Sequence, residues 1–179
     1  AAGDMDGDGD LDIIAGNYQQ HNVVYLNDGD GNFTSARNFG TGSDATRSVA
    51  AGDMDNDGDL DIVTGNGGQH NVVYLNDGAG SFPTARNFGT GLDNTVSVAA
   101  GDMDGDGDLD IITSTYYGQQ NVVYVNDGAG SFATARNFGT GLDNTMSVAA
   151  GDMDGDGDLD IVTGNYLDFI IGIYNQQNV

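Results

Sequence analysis

A nine-residue phrase, Asp4-Met-Asp-Gly-Asp-Gly-Asp-Leu-Asp12, returns in this chain from Asp53 to Asp61, from Asp102 to Asp110 and from Asp152 to Asp160. The copies begin at residues 4, 53, 102 and 152, a period of 49 or 50 residues, with the extra residue between Thr113 and Gln120. The likeness extends beyond the acidic phrase: Asn121 to Gly151 repeats Asn71 to Gly101 with three changes. A period of this length marks a solenoid, a propeller or an array, whose units bury their apolar faces only by stacking on one another.

Each unit reads as four short strands. In the second unit, Ser48 to Gly52 carries small side chains suited to a crowded place near an axis. The acidic phrase follows, then a strand over Leu60 to Thr64. Asn71 to Asn76 is apolar on both faces, as in a sheet covered on both sides. The turn from Asn76 to Gly80 has hairpin chemistry. A more polar fourth strand runs from about Phe82 to Phe88 and holds the single proline, Pro83, which suits a sheet edge because it lacks an N–H. Helical periodicity is absent. Four-stranded units of this size, small inside and polar outside, describe the blades of an all-β propeller. The chain is expected to be one repeat domain, 1–179, with blades at about 1–45, 46–94, 95–144 and 145–179, the last incomplete.

The pattern D-x-D-x-D-G-x-x-D is that of a calcium loop. Calcium takes six to eight oxygen ligands at about 2.3 to 2.6 Å, and alternate residues of a tight turn can all point inward. Asp4, Asp6 and Asp8 are expected to converge, with Asp10 offering its carbonyl and Asp12 closing the cage. The same roles fall to Asp53, Asp55, Asp57, Asp59 and Asp61, to Asp102, Asp104, Asp106, Asp108 and Asp110, and to Asp152, Asp154, Asp156, Asp158 and Asp160. That gives about four Ca2+, one per repeat. Gly9, Gly58, Gly107 and Gly157 permit the sharp turn, and Leu11, Leu60, Leu109 and Leu159 are expected to anchor each loop in the core. An EF-hand is excluded, because its twelfth position needs Glu and here holds Ala15, Thr64, Thr113 and Thr163, with no flanking helices.

These loops, the hydrophobic strand after each, and the Asn-Asp-Gly turn followed by Gly-x-Phe (Asn27 to Phe33, Asn76 to Phe82, Asn126 to Phe132) make the chain resemble the FG-GAP/VCBS repeat family, which includes the calcium-binding blades of integrin α-subunit propellers. The resemblance spans essentially the whole chain. It implies a β-propeller with structural calcium between the first and second strands of each blade, and ligand binding by loops on the opposite face. Propellers of the family usually have about seven blades, and this chain supplies fewer than four. It starts partway through a first strand, and Asp168 to Asn175 replaces the usual third strand in the fourth unit. The expectation is a piece of a larger propeller, or one completed by another copy.

Composition narrows the function further. All 28 acidic residues are Asp, Lys is absent, and the formal charge is -24, which disfavours nucleic acid and anionic membranes as partners. No apolar run approaches a membrane span, and any signal peptide would lie upstream of Ala1. Loops of this kind fill at roughly 10⁻⁴ to 10⁻³ M calcium in extracellular modules, so an extracellular or cell-surface location is expected. Asp28-Gly-Asp30-Gly-Asn32 reads as a hairpin turn in preference to a fifth cation site. His21 and His70 read as surface loop residues, since the equivalent position in the third unit is Gln120. Arg37, Arg86 and Arg136 read as salt-bridge partners of nearby Asp, and Tyr18, Tyr116, Tyr117 and Tyr166 as loop aromatics able to stack on a sugar. No catalytic residue is assigned. The expected role is a non-enzymatic scaffold for adhesion or for a protein or glycan ligand. Two alternatives stay open: a propeller-based polysaccharide-active enzyme or lectin, drawing on Asp44, Asp93, Asp143 and Asp168, and a self-assembling filament or surface-layer component joined through open blade edges.

Overall fold

The computed structural model describes residues 1–116, 118–141 and 143–166. Asp168, the rest of 167–179 and Tyr117 therefore lie outside the described residues. Four antiparallel sheets follow one another, each with its strands in chain order. β1 (Ala2–Gly3), β2 (Asp12–Ala15), β3 (Asn22–Leu26) and β4 (Ser35–Phe39) make the first. β5 (Thr46–Gly52), β6 (Asp61–Asn66), β7 (Asn71–Leu75) and β8 (Thr84–Phe88) make the second. β9 (Thr95–Gly101), β10 (Asp110–Thr115), β11 (Asn121–Val125) and β12 (Thr134–Phe138) make the third, and β13 (Thr145–Gly151) and β14 (Asp160–Asn165) pair in the fourth. Among the described residues there is no helix. The result is an all-β stack of three four-stranded, blade-like sheets and a fourth with two described strands, with an acidic phrase between the first and second strand of each.

The stacking follows from the strand pattern. β7 is buried along its whole length, as its two apolar faces require. Its Val73 and Leu75 join Met54, Val63 and Phe88 against Val98, Ile111 and Tyr124 of the third sheet. Its Val72 and Tyr74 turn the other way, with Ile62, onto Met5, Ile14, Val24, Leu26 and Phe39 of the first. The aromatic contact repeats: Phe39 meets Tyr74 edge-on at 5.1 Å, and Phe88 meets Tyr124 in the same way at 5.1 Å. The small-residue first strands lie where the sheets converge, β5 packing on β9 and β9 on β13.

Several expectations move. The first strand of the second unit begins at Thr46, and the second strand runs from Asp61 to Asn66. The fourth begins at Thr84, so Pro83 stands just ahead of the ladder, where its missing N–H costs no bond. Leu60, Leu109 and Leu159 each fill the space that a side chain would need at Gly3, Gly52 and Gly101 of the preceding sheet. Leu11 does not: it is 65% exposed, because no described sheet precedes β1 to receive it.

At the far end of the strands a polar network crosses between sheets. Asn22 donates to the Thr46 hydroxyl at 3.1 Å, which donates to Asn66 at 2.8 Å, and Asn121, Thr145 and Asn165 repeat the arrangement. In the third sheet Thr115 stands where Asn66 would be. The buried Asn71 Nδ2 and Thr95 Oγ1 consequently find no partner among the described residues.

Close sheet packing predicts a contrast between two equivalent glycines. A Cβ on Gly65 would lie 2.7 Å from Cγ2 of Thr95 and 2.7 Å from Cγ1 of Val98, whereas on Gly164 it would meet Ser147 at an ordinary 3.6 Å. Gly65→Ala should cost about 1 to 3 kcal/mol in urea unfolding, and Gly164→Ala should cost much less. Equal costs would show that the sheets do not stack this closely.

Candidate metal centre

Each acidic phrase is held in shape by its own carboxylates. In the first, Asp4 Oδ1 accepts the Gly7 N–H at 2.8 Å and Asp4 Oδ2 accepts that of Gly9 at 2.9 Å, while Asp8 accepts the Asp10 N–H at 2.9 Å. Gly9 sits at φ +95°, a conformation that side chains resist. The pattern recurs around Asp53, Asp102 and Asp152. Asn56 replaces glycine at the fourth position of the second loop and takes a left-handed φ of +59°.

The ninth aspartate does something the sequence did not disclose. Asp61 is fully buried, its Oδ2 accepting the Met54 N–H and its Oδ1 the Asn76 N–H, both at 2.8 Å. Asp12 and Asp110 bind Met5 and Asn27, and Met103 and Asn126, in the same way. This residue thus clasps the loop to the hairpin turn of its own sheet. The only sequence trace of it is the recurrence of Asn27, Asn76 and Asn126 at one position of every turn.

Carboxylate oxygens of Asp4, Asp6 and Asp8 lie within 4.8 Å of one another, as do those of Asp53, Asp55 and Asp57. In the third and fourth loops the groups so placed are Asp102, Asp104 and Asp110, and Asp152, Asp154 and Asp160. Asp106 and Asp156 each accept a backbone N–H within their own loops. The seventh-position side chains of Asp10, Asp59 and Asp108 face Gly29, Gly78 and Gly128 of the hairpin turns, while Asp158 lines a cleft with Asp102 and Asp104. Whether the donor set suits a cation is tested by Asp6 and Asp55: Oδ1 of each is buried without a hydrogen-bond partner among the described residues. Burial, then the neighbouring carboxylates, pushes both groups above the usual carboxylate range. Uncompensated oxygens inside an all-carboxylate cluster are what a hard cation such as calcium takes.

The remaining candidates have structural duties. Asp28 accepts N–H groups from Asp30 and Asn32, and the Asn32 side-chain bond chiefly holds its carboxyl below the ordinary range. Asp44, Asp93 and Asp143 each accept the backbone N–H of a threonine three residues earlier, closing the loop before the next sheet. Arg136 pairs with Asp104 at 3.1 Å. Contrary to expectation, Arg37 bonds Ser81 at 2.9 Å and Arg86 the Ala129 carbonyl, both in the turn of the next sheet. Arg86 still acts on the Asp55 carboxyl through its charge, pulling it down against the burial and the neighbouring carboxylates that raise it. His21 and His70 are exposed.

The buried clasp carries a pH signature. Burial pushes the Asp61 carboxyl up to about 6 and raises that of Asp110, against the opposing pull of their backbone N–H bonds. A raised folded pKa means that the folded state binds the proton more tightly than the unfolded chain, whose Asp titrates near 3.9. That stability is complete below about pH 4 and lost as pH rises through about 6. Metal-free protein should therefore need more urea to unfold at pH 4.5 than at pH 7.5, and Asp61→Asn should flatten the difference. Lower resistance at pH 4.5 would contradict the burial of this carboxylate.

The model of the FG-GAP-like repeat matches residues 4–64, 56–113 and 113–163. No curated protein sequence matches the chain. Among solved structures, a lectin of Agrocybe aegerita, described for its specific recognition of non-reducing terminal N-acetylglucosamine, superposes with a TM-score of 0.62 at 24% identity. The match covers 90% of this chain and 45% of the lectin, so the likeness speaks for the fold, and this chain spans under half of that protein. Three successive repeat matches running from Asp4 to Thr163 place the chain in the FG-GAP-like repeat family.

Proposed function

We propose that this chain is part of an extracellular β-propeller in which calcium, one ion per acidic loop, stabilises the fold, and that the propeller serves as a non-enzymatic ligand-binding scaffold. The observation that carries the calcium reading is the pair of buried, unpartnered oxygens on Asp6 and Asp55 within repeated carboxylate clusters. Two like charges 4 Å apart repel by about 4 kcal/mol at an effective dielectric of ~20, and a bound cation removes that repulsion. Asp4, Asp6, Asp8 and Asp12 would hold the ion in the first loop, with their equivalents in the other three. Extracellular calcium suits such loops, and cytosolic levels would leave them empty.

A glycan is the ligand class with a specific observation in its favour. Two equivalent clefts, of about 600 and 580 Å³, open between the first and second sheets and between the second and third. Val72, Tyr74 and Phe82 give the first an apolar wall, faced by His70 and Asn87; Val122, Tyr124, Phe132, Gln120 and Asn137 repeat this in the second. A patch of apolar carbon beside hydrogen-bonding side chains, the Asp44 and Asp93 carboxylates among them, suits a sugar ring. The lectin that shares the fold recognises a sugar.

Two experiments test these readings. Melting followed by circular dichroism in 2 mM calcium should exceed that in EDTA, by about 2 kcal/mol for each site if Kd is near 10⁻⁴ M. Asp106→Ala should lower stability in calcium and leave it unchanged or higher without, since it removes one of the crowded charges. Identical melts with and without calcium would end the structural-calcium reading. For the ligand, a glycan array should give hits that Asn87→Ala together with Asn137→Ala weakens at least tenfold; hits untouched by that pair would place the sugar elsewhere.

A further inference from the structure

The acidic loops do not stand alone: the hairpin turns of the second and third sheets each reach back to the loop of the sheet before. The Asn76 side-chain NH₂ donates to the Met5 carbonyl of the first loop at 2.8 Å and to the Leu60 carbonyl of the second at 3.0 Å. Asn126 does the same between the second and third, donating to Met54 at 2.8 Å and to Leu109 at 3.0 Å. The amide oxygen of each is also occupied, by the N–H of Gly80 or Gly130 at 3.1 Å. Both side chains are buried. Asn27 donates its side-chain NH₂ to its own Leu11 carbonyl at 3.2 Å, and no sheet precedes it among the described residues.

These bonds run into the clasp. Met54 gives its N–H to Asp61 and its carbonyl to Asn126, and Asn76 gives its backbone N–H to Asp61 and its side chain to Met5. An unbroken line of buried hydrogen bonds therefore leads from the second residue of the first loop, through Asp61, to the third loop. A second strap lies on the surface: Asn56 Nδ2 donates to Asp108 Oδ1 at 2.6 Å and to the Gly128 carbonyl at 3.3 Å. The first loop has Gly7 at that position and makes no such bond.

We propose that Asn76, Asn126 and Asn56 are positioning residues that tie neighbouring loops into one cation-binding unit, so that filling one loop shapes the next and calcium binds cooperatively along the stack. The inference rests on the calcium reading above and extends it to the linkage between sites. Ordering a loop around a cation fixes its Met carbonyl, which fixes the asparagine, and with it the Asp clasp of the following sheet.

Calorimetric titration of metal-free protein with calcium tests this. The wild type should show a Hill coefficient above 1. Asn76→Asp keeps the shape but sets an acceptor against two carbonyls; it should weaken calcium by about tenfold at two sites, the first and second loops, and lower the Hill coefficient. Loss at the second loop alone, or at none, overturns the proposal while leaving the calcium reading intact. Asn56→Gly installs the residue found in the other three loops and removes only an exposed strap, so it should fold. It should reduce cooperativity with little change in total stoichiometry, and it decides the matter if Asn76→Asp fails to fold in calcium. Unchanged cooperativity in Asn56→Gly then counts against the linkage. A wild type that binds calcium non-cooperatively also overturns it, and one that takes up no calcium removes the reading on which it stands.

Discussion

In the first three acidic loops a carboxylate buried at the foot accepts two backbone N–H groups, one from the head of the loop and one from the hairpin turn. For Asp61 these are Met54, at the head of the loop, and Asn76, at the start of the hairpin turn. Charge in a low-dielectric interior is tolerated only with strong local compensation. The arrangement therefore fixes loop, second strand and turn relative to one another. Once the turn is fixed, its asparagine meets the preceding sheet, its glycines give room to Asp10, Asp59 and Asp108, and the following phenylalanine joins the interface cluster. The geometry of the whole stack descends from that clasp.

Two kinds of contact then hold the sheets together, and they divide the interface. In the middle it is apolar and aromatic, with Phe39 wedged between Tyr74 and Phe82, and Phe88 between Tyr124 and Phe132. At the two ends it is polar: the Asn-to-loop bonds on the acidic side, and the Asn22–Thr46–Asn66 network on the other. Burial supplies most of the stabilisation, while directional bonds at both ends set the register between sheets. The acidic side concentrates negative charge, with three carboxylates drawn close together in each loop. The opposite side, where the clefts open beside the Gly-Thr-Gly loops, carries one loop aspartate per sheet, Asp44, Asp93 and Asp143, each engaged by a threonine N–H.

Much of this was legible in the residues. The period, the alternation of strands, the apolar third strand and the carboxylate spacing all came from local chemistry, and the family likeness agreed with them. Strand ends were less legible: Thr46, Asn66 and Thr84 join or open their strands through pairing with distant partners. The arginines were misjudged in part. Their sequence neighbours suggested carboxylate partners, but the reach of Arg37 and Arg86 is set by the adjacent sheet's turn. Leu11 was misjudged for the same reason, since its burial depends on a sheet lying against it, and a sequence pattern cannot show that.

The sequence by itself determined the unit: four strands, an acidic loop after the first, a glycine where the loop turns back, and a hydrophobic pattern that requires neighbours. Those features are local, and residue type and spacing decide them. Only the tertiary structure decided what joins the units. Asn76 reaches the Met5 carbonyl and Phe39 meets Tyr74 because stacking brings together residues that lie tens of positions apart, while pairing within one sheet makes Asp61 a clasp and sets His70 beside Asn87. Hydrogen bonding acts over about 3 Å, and that distance is set between sheets, where no reading along one strand can measure it.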